Sequence, residues 1–119
     1  MWALNQNKKC LNGAKVLVIG VTYKKDVGDL RDSPALKIIA DLLRKKAALS
    51  YHDPFIAQIT VQNQQFDSIL LTDNAIHSAD IVLILTDHSS IDYEKVARES
   101  SLIVDTRNVT KKRLPHIIL

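Results

Sequence analysis

Residues 15–34, KVLVIGVTYKKDVGDLRDSP, decide how the rest of the chain reads. Lys15 to Gly20 is a nearly unbroken apolar run, β-branched at Val16, Val18 and Ile19. Such a run fits a strand buried on both faces. Ser33-Pro34 opens a helical pattern. Serine can accept from the free N–H groups of a first turn, and proline is tolerated at the first helical position. Thirteen residues, Val21 to Ser33, lie between strand and helix. Connections of this kind usually take about two to six. The excess is charged: Lys24, Lys25, Asp26, Asp29, Arg31 and Asp32. A long charged loop at the carboxyl end of a buried strand points to a ligand site.

Outward from this stretch, strands and helices alternate. The helix from about Pro34 to Lys46 carries Ala35, Leu36, Ile38, Ile39, Leu42 and Leu43 at helical spacing, an apolar stripe for a sheet. Arg44, Lys45 and Lys46 fall in its last turn, where cations suit the dipole and a solvated helix end is the plain reading. Ala48 to Tyr51 reads as a second strand, closed by His52-Asp53-Pro54. Residues 55–67 (FIAQITVQNQQFD) fit no single element, their polar, Gln-rich part reading as surface loop, with Ser68 to Leu71 as a short third strand. A short helix follows over Asp73 to Ala79, capped by Thr72 or Asp73. The IVLIL within Asp80–Thr86 is another doubly buried strand. Ile91 to Ser100 is helical, with Ile91, Tyr93, Val96 and Ala97 inward. Leu102 to Val104 is a last short strand, and Pro115 limits any helix in the tail. This alternation predicts an α/β fold, a Rossmann-like three-layer sandwich with a mainly parallel sheet. Ligands then bind beyond the carboxyl ends of the strands. The residues expected there are Val21–Ser33, His52-Asp53, Thr86-Asp87-His88 and Asp105–Asn108.

Composition bounds the function. A length of 119 residues suits one domain, and 46% apolar with 24% charged residues is ordinary for a globular one. The net charge of +3 accommodates an anionic ligand. Short basic clusters and few aromatics give no footprint for nucleic acid. No apolar run reaches a membrane span, and Trp2–Lys9 has no apolar signal-peptide core. A single cysteine, Cys10, excludes an internal disulfide and fits a reducing compartment, so the cytoplasm is expected. Residues 1–13 read as a linker at the end of an upstream helix, or as a frayed arm.

The chemistry is that of binding. A dinucleotide cradle needs Gly-x-Gly-x-x-Gly after the first strand, whereas this chain has Gly20-Val21-Thr22-Tyr23-Lys24-Lys25. Lys24, Lys25, Arg31 and Arg107 suit anionic oxygens. Equally, the loop's three cations and three carboxylates can pair with one another. His52, His77, His88 and His116 show no metal-ligand spacing, so no metal is expected. Asp87-His88 reads as a capping aspartate beside a solvent-exposed histidine. Cys10 lies off the polar edge and has no visible base partner. No catalytic residue is assigned.

Three ordered motifs carry a family resemblance: TYKKDVGDLRDSPALKII (22–39), YHDPF (51–55) and VDTRN (104–108). Over about Ala3 to Asn108 the chain resembles the C-terminal domain of the UDP-glucose/GDP-mannose dehydrogenases. The ALN at 3–5 and the VDTRN ending look most like bacterial UDP-N-acetyl-hexosamine 6-dehydrogenases. The resemblance implies that residues 14–119 form a UDP-sugar-binding domain of an NAD-dependent 6-dehydrogenase. Such enzymes oxidise the sugar C6 alcohol to a carboxylate in two NAD-dependent steps, using a cysteine nucleophile from elsewhere. By position, Tyr23 and Lys24 match the pair that contacts the nucleotide-sugar, and Arg107 lies in the motif at the substrate edge. Arg31 matches the arginine that reaches NAD held mainly by another domain. Asp26, Asp29 and Ser33 match as loop-ordering and capping residues. The implied partners are a UDP-sugar and the NAD and dimerisation domains of a homo-oligomeric enzyme. This chain alone is expected to bind without catalysing. A stand-alone nucleotide-binding or regulatory module is the alternative.

Overall fold

The computed structural model describes residues 13–22, 26, 28, 33–106 and 117–118. Five strands form one all-parallel sheet in the order β2-β1-β5-β6-β7. They are β1 (Lys15–Ile19), β2 (Ala48–His52), β5 (Ile81–Ile84), β6 (Ile103–Asp105) and β7 (Ile117–Ile118). A separate antiparallel hairpin joins β3 (Gln58–Val61) to β4 (Gln64–Asp67). The helices are α1 (Pro34–Arg44), α2 (Asp73–Ser78) and α3 (Tyr93–Glu99).

Alternation along the central strands builds the layers. Val16 and Val18 of β1, with Leu83 of β5, face one way and pack with Ala35, Ile39 and Leu42 of α1. Ile59 and Val61 of the hairpin complete that core. Leu17 and Ile19 face the other way, with Val82 and Ile84, against Ile76 of α2 and Val96 and Ala97 of α3. Every residue of β5 is therefore buried, as a parallel strand covered by helices on both faces requires. The expected three-layer α/β sandwich is the fold observed.

The helix caps follow the local chemistry. Ser33 Oγ accepts from Ala35 N, and Pro34 opens α1. Thr72 caps α2 and Asp92 caps α3. The stretch expected to be polar loop is instead the β3–β4 hairpin. Its turn, Gln62-Asn63, has φ of 54° and 61°, the left-handed pair of a tight hairpin. Without glycine at either position, the usual sequence signal is missing. The short strand expected at Ser68–Leu71 does not form. Instead Ile69 N–H donates to Tyr51 O, and His52 Nδ1 donates to Ile69 O, pinning an irregular segment to the edge of β2. The two-residue β7, alongside Ile103 and Val104, is a further addition to the sheet.

Candidate functional site

From β1 the chain moves through α1 to β2 on one side, and later returns to β5 on the other. The strand order thus reverses between β1 and β5. At such a point the loops leaving the two carboxyl ends diverge and open a crevice. Gly20 stands at its floor with φ +86°. A Cβ there would lie 2.6 Å from Thr86 Cβ and 2.8 Å from Thr86 N. Glycine is required twice over, by a left-handed backbone and by the close approach of the segment leaving β5.

Above Gly20 a buried polar network ties the long loop to its neighbours. Asp53, at the end of β2, is 3% exposed. Its Oδ2 accepts from Val21 N at 2.8 Å and its Oδ1 from Phe55 N at 2.8 Å. His88 is 0% exposed, which corrects the solvent-exposed reading. Its Nδ1 receives the Asp26 backbone N–H at 2.9 Å. A backbone N–H can only donate, so Nδ1 is the acceptor and the proton of a neutral imidazole sits on Nε2. Nε2 donates to Asp53 Oδ2 at 2.9 Å, with Thr22 Oγ1 at 3.2 Å. The His88–Asp53 contact is therefore a hydrogen bond of neutral imidazole to carboxylate, not a pair of full charges.

Further ties come from the same turn. Thr86 Oγ1 donates to Thr22 O at 2.5 Å. Asp26 is left-handed, at φ 58°, and its carboxylate accepts from Ser89 N at 2.7 Å and Ser89 Oγ at 2.6 Å. Ser33 Oγ donates to Val21 O at 2.6 Å while capping α1. Tyr93 of α3 accepts from His88 N at 2.9 Å and donates to Thr86 O at 3.1 Å. Burial holds the Tyr93 phenol well above its ordinary range, against the lowering effect of the His88 N–H; Asp87, Asp105 and Asp26 add to the rise. The phenol thus keeps the proton that it donates. Among the described residues every buried side-chain nitrogen and oxygen has a partner.

Beside this network is a cavity of about 250 Å³, lined by Thr22, Pro34, Ala35, Ile38, Leu85 and Thr106. It lies beyond the carboxyl ends of β1, β5 and β6, next to the first turn of α1. Two others are placed differently. One of about 170 Å³ is enclosed by His52, α2 and α3. One of about 240 Å³ opens at the start of β1, near Lys15 and Ser78. Of these three among the described residues, the first combines the strand-order reversal with the positive end of a helix dipole.

Of the polar residues expected at this edge and described, Thr22, Asp26, Ser33, Asp53, Thr86, His88, Asp105 and Thr106 lie there, whereas His52 bonds Ile69 O and lines the cavity beside α2 and α3. The binding residues Tyr23, Lys24, Arg31 and Arg107 lie outside the described residues, as does the N-terminal stretch 1–12. Sequence reasoning missed the roles of Asp53, His88 and Tyr93. The available signal was position: Asp53 and Thr86-Asp87-His88 each directly follow a buried strand. Among the described residues no cluster of His, Cys, Asp and Glu could hold a metal, and no helix is long and apolar enough to cross a membrane. The described residues do not fit an NAD cradle. The space left open by Gly20 is filled by Thr86, so no backbone groove remains there for a pyrophosphate.

Known proteins place this geometry in a family. Residues 17–112 match the UDP-glucose/GDP-mannose dehydrogenase family, UDP binding domain. UDP-glucose 6-dehydrogenase of Rickettsia bellii is 33% identical over 109 residues, which are 85% of this chain and 25% of that protein. UDP-N-acetyl-D-mannosamine dehydrogenase of Methanococcus vannielii is 32% identical over 108 residues, 84% of this chain and 24% of the relative. Among solved structures, the UDP-D-ManNAc dehydrogenase of Pyrococcus horikoshii superposes with a TM-score of 0.74 at 25% identity. That match covers 98% of this chain and 27% of the other. The chain thus spans about a quarter of the length of the relatives it matches. With residues 17–112 matched and relatives at 32–33% identity over most of its length, the chain belongs to the UDP-glucose/GDP-mannose dehydrogenase family, as its UDP-binding domain.

Proposed function

We propose that residues 14–119 bind a UDP-sugar for an NAD-dependent nucleotide-sugar 6-dehydrogenase, with residues 1–13 as the link to the rest of that enzyme. The observation that carries this reading is the cavity at the β1/β5 reversal, walled by a loop with multiple hydrogen-bonded ties. Its volume of about 250 Å³ is below the roughly 300–1,000 Å³ of a complete small-molecule pocket. One wall of a site shared between domains has this size. Lys24 places a compact positive charge on the diphosphate, Tyr23 supplies an aromatic contact and a hydroxyl, and Arg107 offers a planar donor fork to the sugar side. Arg31 reaches NAD held mainly by another domain. The complete enzyme oxidises the C6 alcohol to a carboxylate, works in the cytoplasm and is a homo-oligomer. This chain's share of the chemistry is to bind and orient the nucleotide.

Isothermal calorimetry of the 119-residue chain with UDP tests the reading. Saturable binding is expected, weakened at least tenfold in Lys24→Ala, with no NAD reduction when a UDP-sugar is added. An absence of heat at millimolar UDP would sink it. A stand-alone nucleotide-binding module predicts the same binding, and the coding sequence upstream of residue 1 separates the two.

A further inference from the structure

The cavity beyond β1, β5 and β6 has an uneven lining. Pro34, Ala35, Ile38 and Leu85 are apolar, Thr22 and Thr106 bear hydroxyls, and none of these six described residues is charged. Thr22 is 1% exposed, and its carbonyl already accepts the Thr86 hydroxyl. Thr106 is exposed and is the polar residue that a ligand can reach. We propose that this cavity is a subsite for one uncharged, hydrogen-bond-donating ring of the nucleotide-sugar, and that Thr106 selects that ring through its hydroxyl oxygen. The diphosphate stays outside. The proposal rests on the nucleotide-binding reading above and says which part of the ligand this cavity takes.

Donor and acceptor roles carry the selection. Thr106 Oγ1 lies 2.5 Å from Ile84 O. A carbonyl only accepts, so the hydroxyl proton is spent there and Oγ1 keeps only lone pairs to offer. The oxygens of a diphosphate diester are acceptors too and would meet those lone pairs without a proton between them. A sugar hydroxyl or the N–H of uracil is a donor and completes the bond. The start of α1 repeats the exclusion. Helix N-termini hold anions through free N–H groups. Pro34 has no N–H, and Ala35 gives its own to Ser33 Oγ at 3.3 Å. The first-turn residues in the lining therefore present no donor to an anion, although the dipole of α1 remains. What is left is apolar surface on Pro34, Ile38 and Leu85, suited to the C–H face of a sugar or the flat face of a base. A volume of about 250 Å³ suits one ring of a larger ligand.

The test titrates UDP-glucose and UDP into the unsubstituted chain, Thr106→Val and Thr106→Ser by calorimetry. Valine keeps the shape of threonine and removes the oxygen. Loss of one neutral hydrogen bond corresponds to about three- to tenfold in affinity. Thr106→Val is expected to weaken UDP-glucose by that factor, and Thr106→Ser, which restores the oxygen, to recover most of the loss. The UDP arm identifies the ring. Equal weakening of both ligands assigns the nucleoside, and weakening of UDP-glucose alone assigns the sugar. Unchanged UDP-glucose affinity in Thr106→Val overturns the role of Thr106. The cavity itself is tested on the unsubstituted chain, whether or not the variants fold. Nuclear Overhauser contacts are expected from the methyl groups of Ile38 and Leu85 to protons of the sugar or the base. Their absence with UDP-glucose bound overturns the subsite. An unsubstituted chain that binds neither ligand overturns the nucleotide reading beneath it.

Discussion

Gly20 shows how narrowly one position is set. Its φ of +86° and the 2.6 Å approach of Thr86 leave no room for a side chain. Gly20→Ala combines a left-handed alanine, about 1–2 kcal/mol, with a clash against backbone atoms. A loss above about 2 kcal/mol in urea denaturation is expected, together with loss of UDP binding, because Val21 and Thr22 must shift with it. Tyr51 gives a residue-scale prediction of a different kind. It is fully buried, and its hydroxyl donates to Ile56 O. Burial first, then the carboxylates of Asp53 and Asp67, push its phenol up to about 12. The unfolded phenol ionises near 10. The folded form therefore keeps its proton to higher pH, and this advantage, complete below pH about 10, is lost as pH rises toward about 12. A shift of this size corresponds to about 2–3 kcal/mol. In Tyr51→Phe, stability below pH 9 should drop by about 1 kcal/mol for the lost hydrogen bond. The alkaline decline between about pH 10 and 12 should be correspondingly shallower.

At the scale of elements, the strands and helices that form two-faced or one-faced cores were legible in the sequence. β1 and β5 are unbroken apolar runs, and α1 carries its stripe between a serine cap and basic residues. The β3–β4 hairpin was not legible, because its turn is Gln62-Asn63 and its alternation is confined to Ile59 and Val61. The turn conformation strongly favours Asn-Gly. Gln62→Asn with Asn63→Gly should relieve left-handed strain and stabilise the chain by about 1 kcal/mol, read as a higher urea midpoint at unchanged slope. The candidate site was legible as an edge but not as a network. A sequence places Asp53 and His88 after strands; it does not reveal that two strand ends on either side of β1 bring them to 2.9 Å. The exposed reading of His88 failed for that reason. Its neighbours Asp87, Ser89 and Ser90 are polar, whereas the burial comes from Phe55 and the loop, distant in sequence.

For the whole molecule, binding and stability are linked. A ligand held only by the folded chain adds stability that grows with the logarithm of its concentration, about 2.7 kcal/mol at one hundred times Kd. UDP at that excess should raise Tm by several degrees, and Lys24→Ala, by weakening binding at least tenfold, should cut the rise to about half or less without lowering the Tm of the free chain appreciably. An exposed apolar position offers the contrast. Leu70 is 78% exposed, and Leu70→Ser should change stability by less than about 0.5 kcal/mol.

The reversal of strand order between β1 and β5 also has a consequence in time. β1, α1 and β2 are consecutive, so they can assemble from near contacts. The site needs Thr22 against Thr86, 64 residues apart, and His88 against Thr22, 66 apart. Contacts of such separation close late, after the shorter loops have formed. As the chain leaves the ribosome, its first half can be compact with Val21 already tied to Asp53 and Ser33, while the ties of Thr22 to Thr86 and of Asp26 to His88 and Ser89 are still to form. Competence to bind then arrives with the last strands of the sheet, so that a captured nucleotide certifies a finished fold.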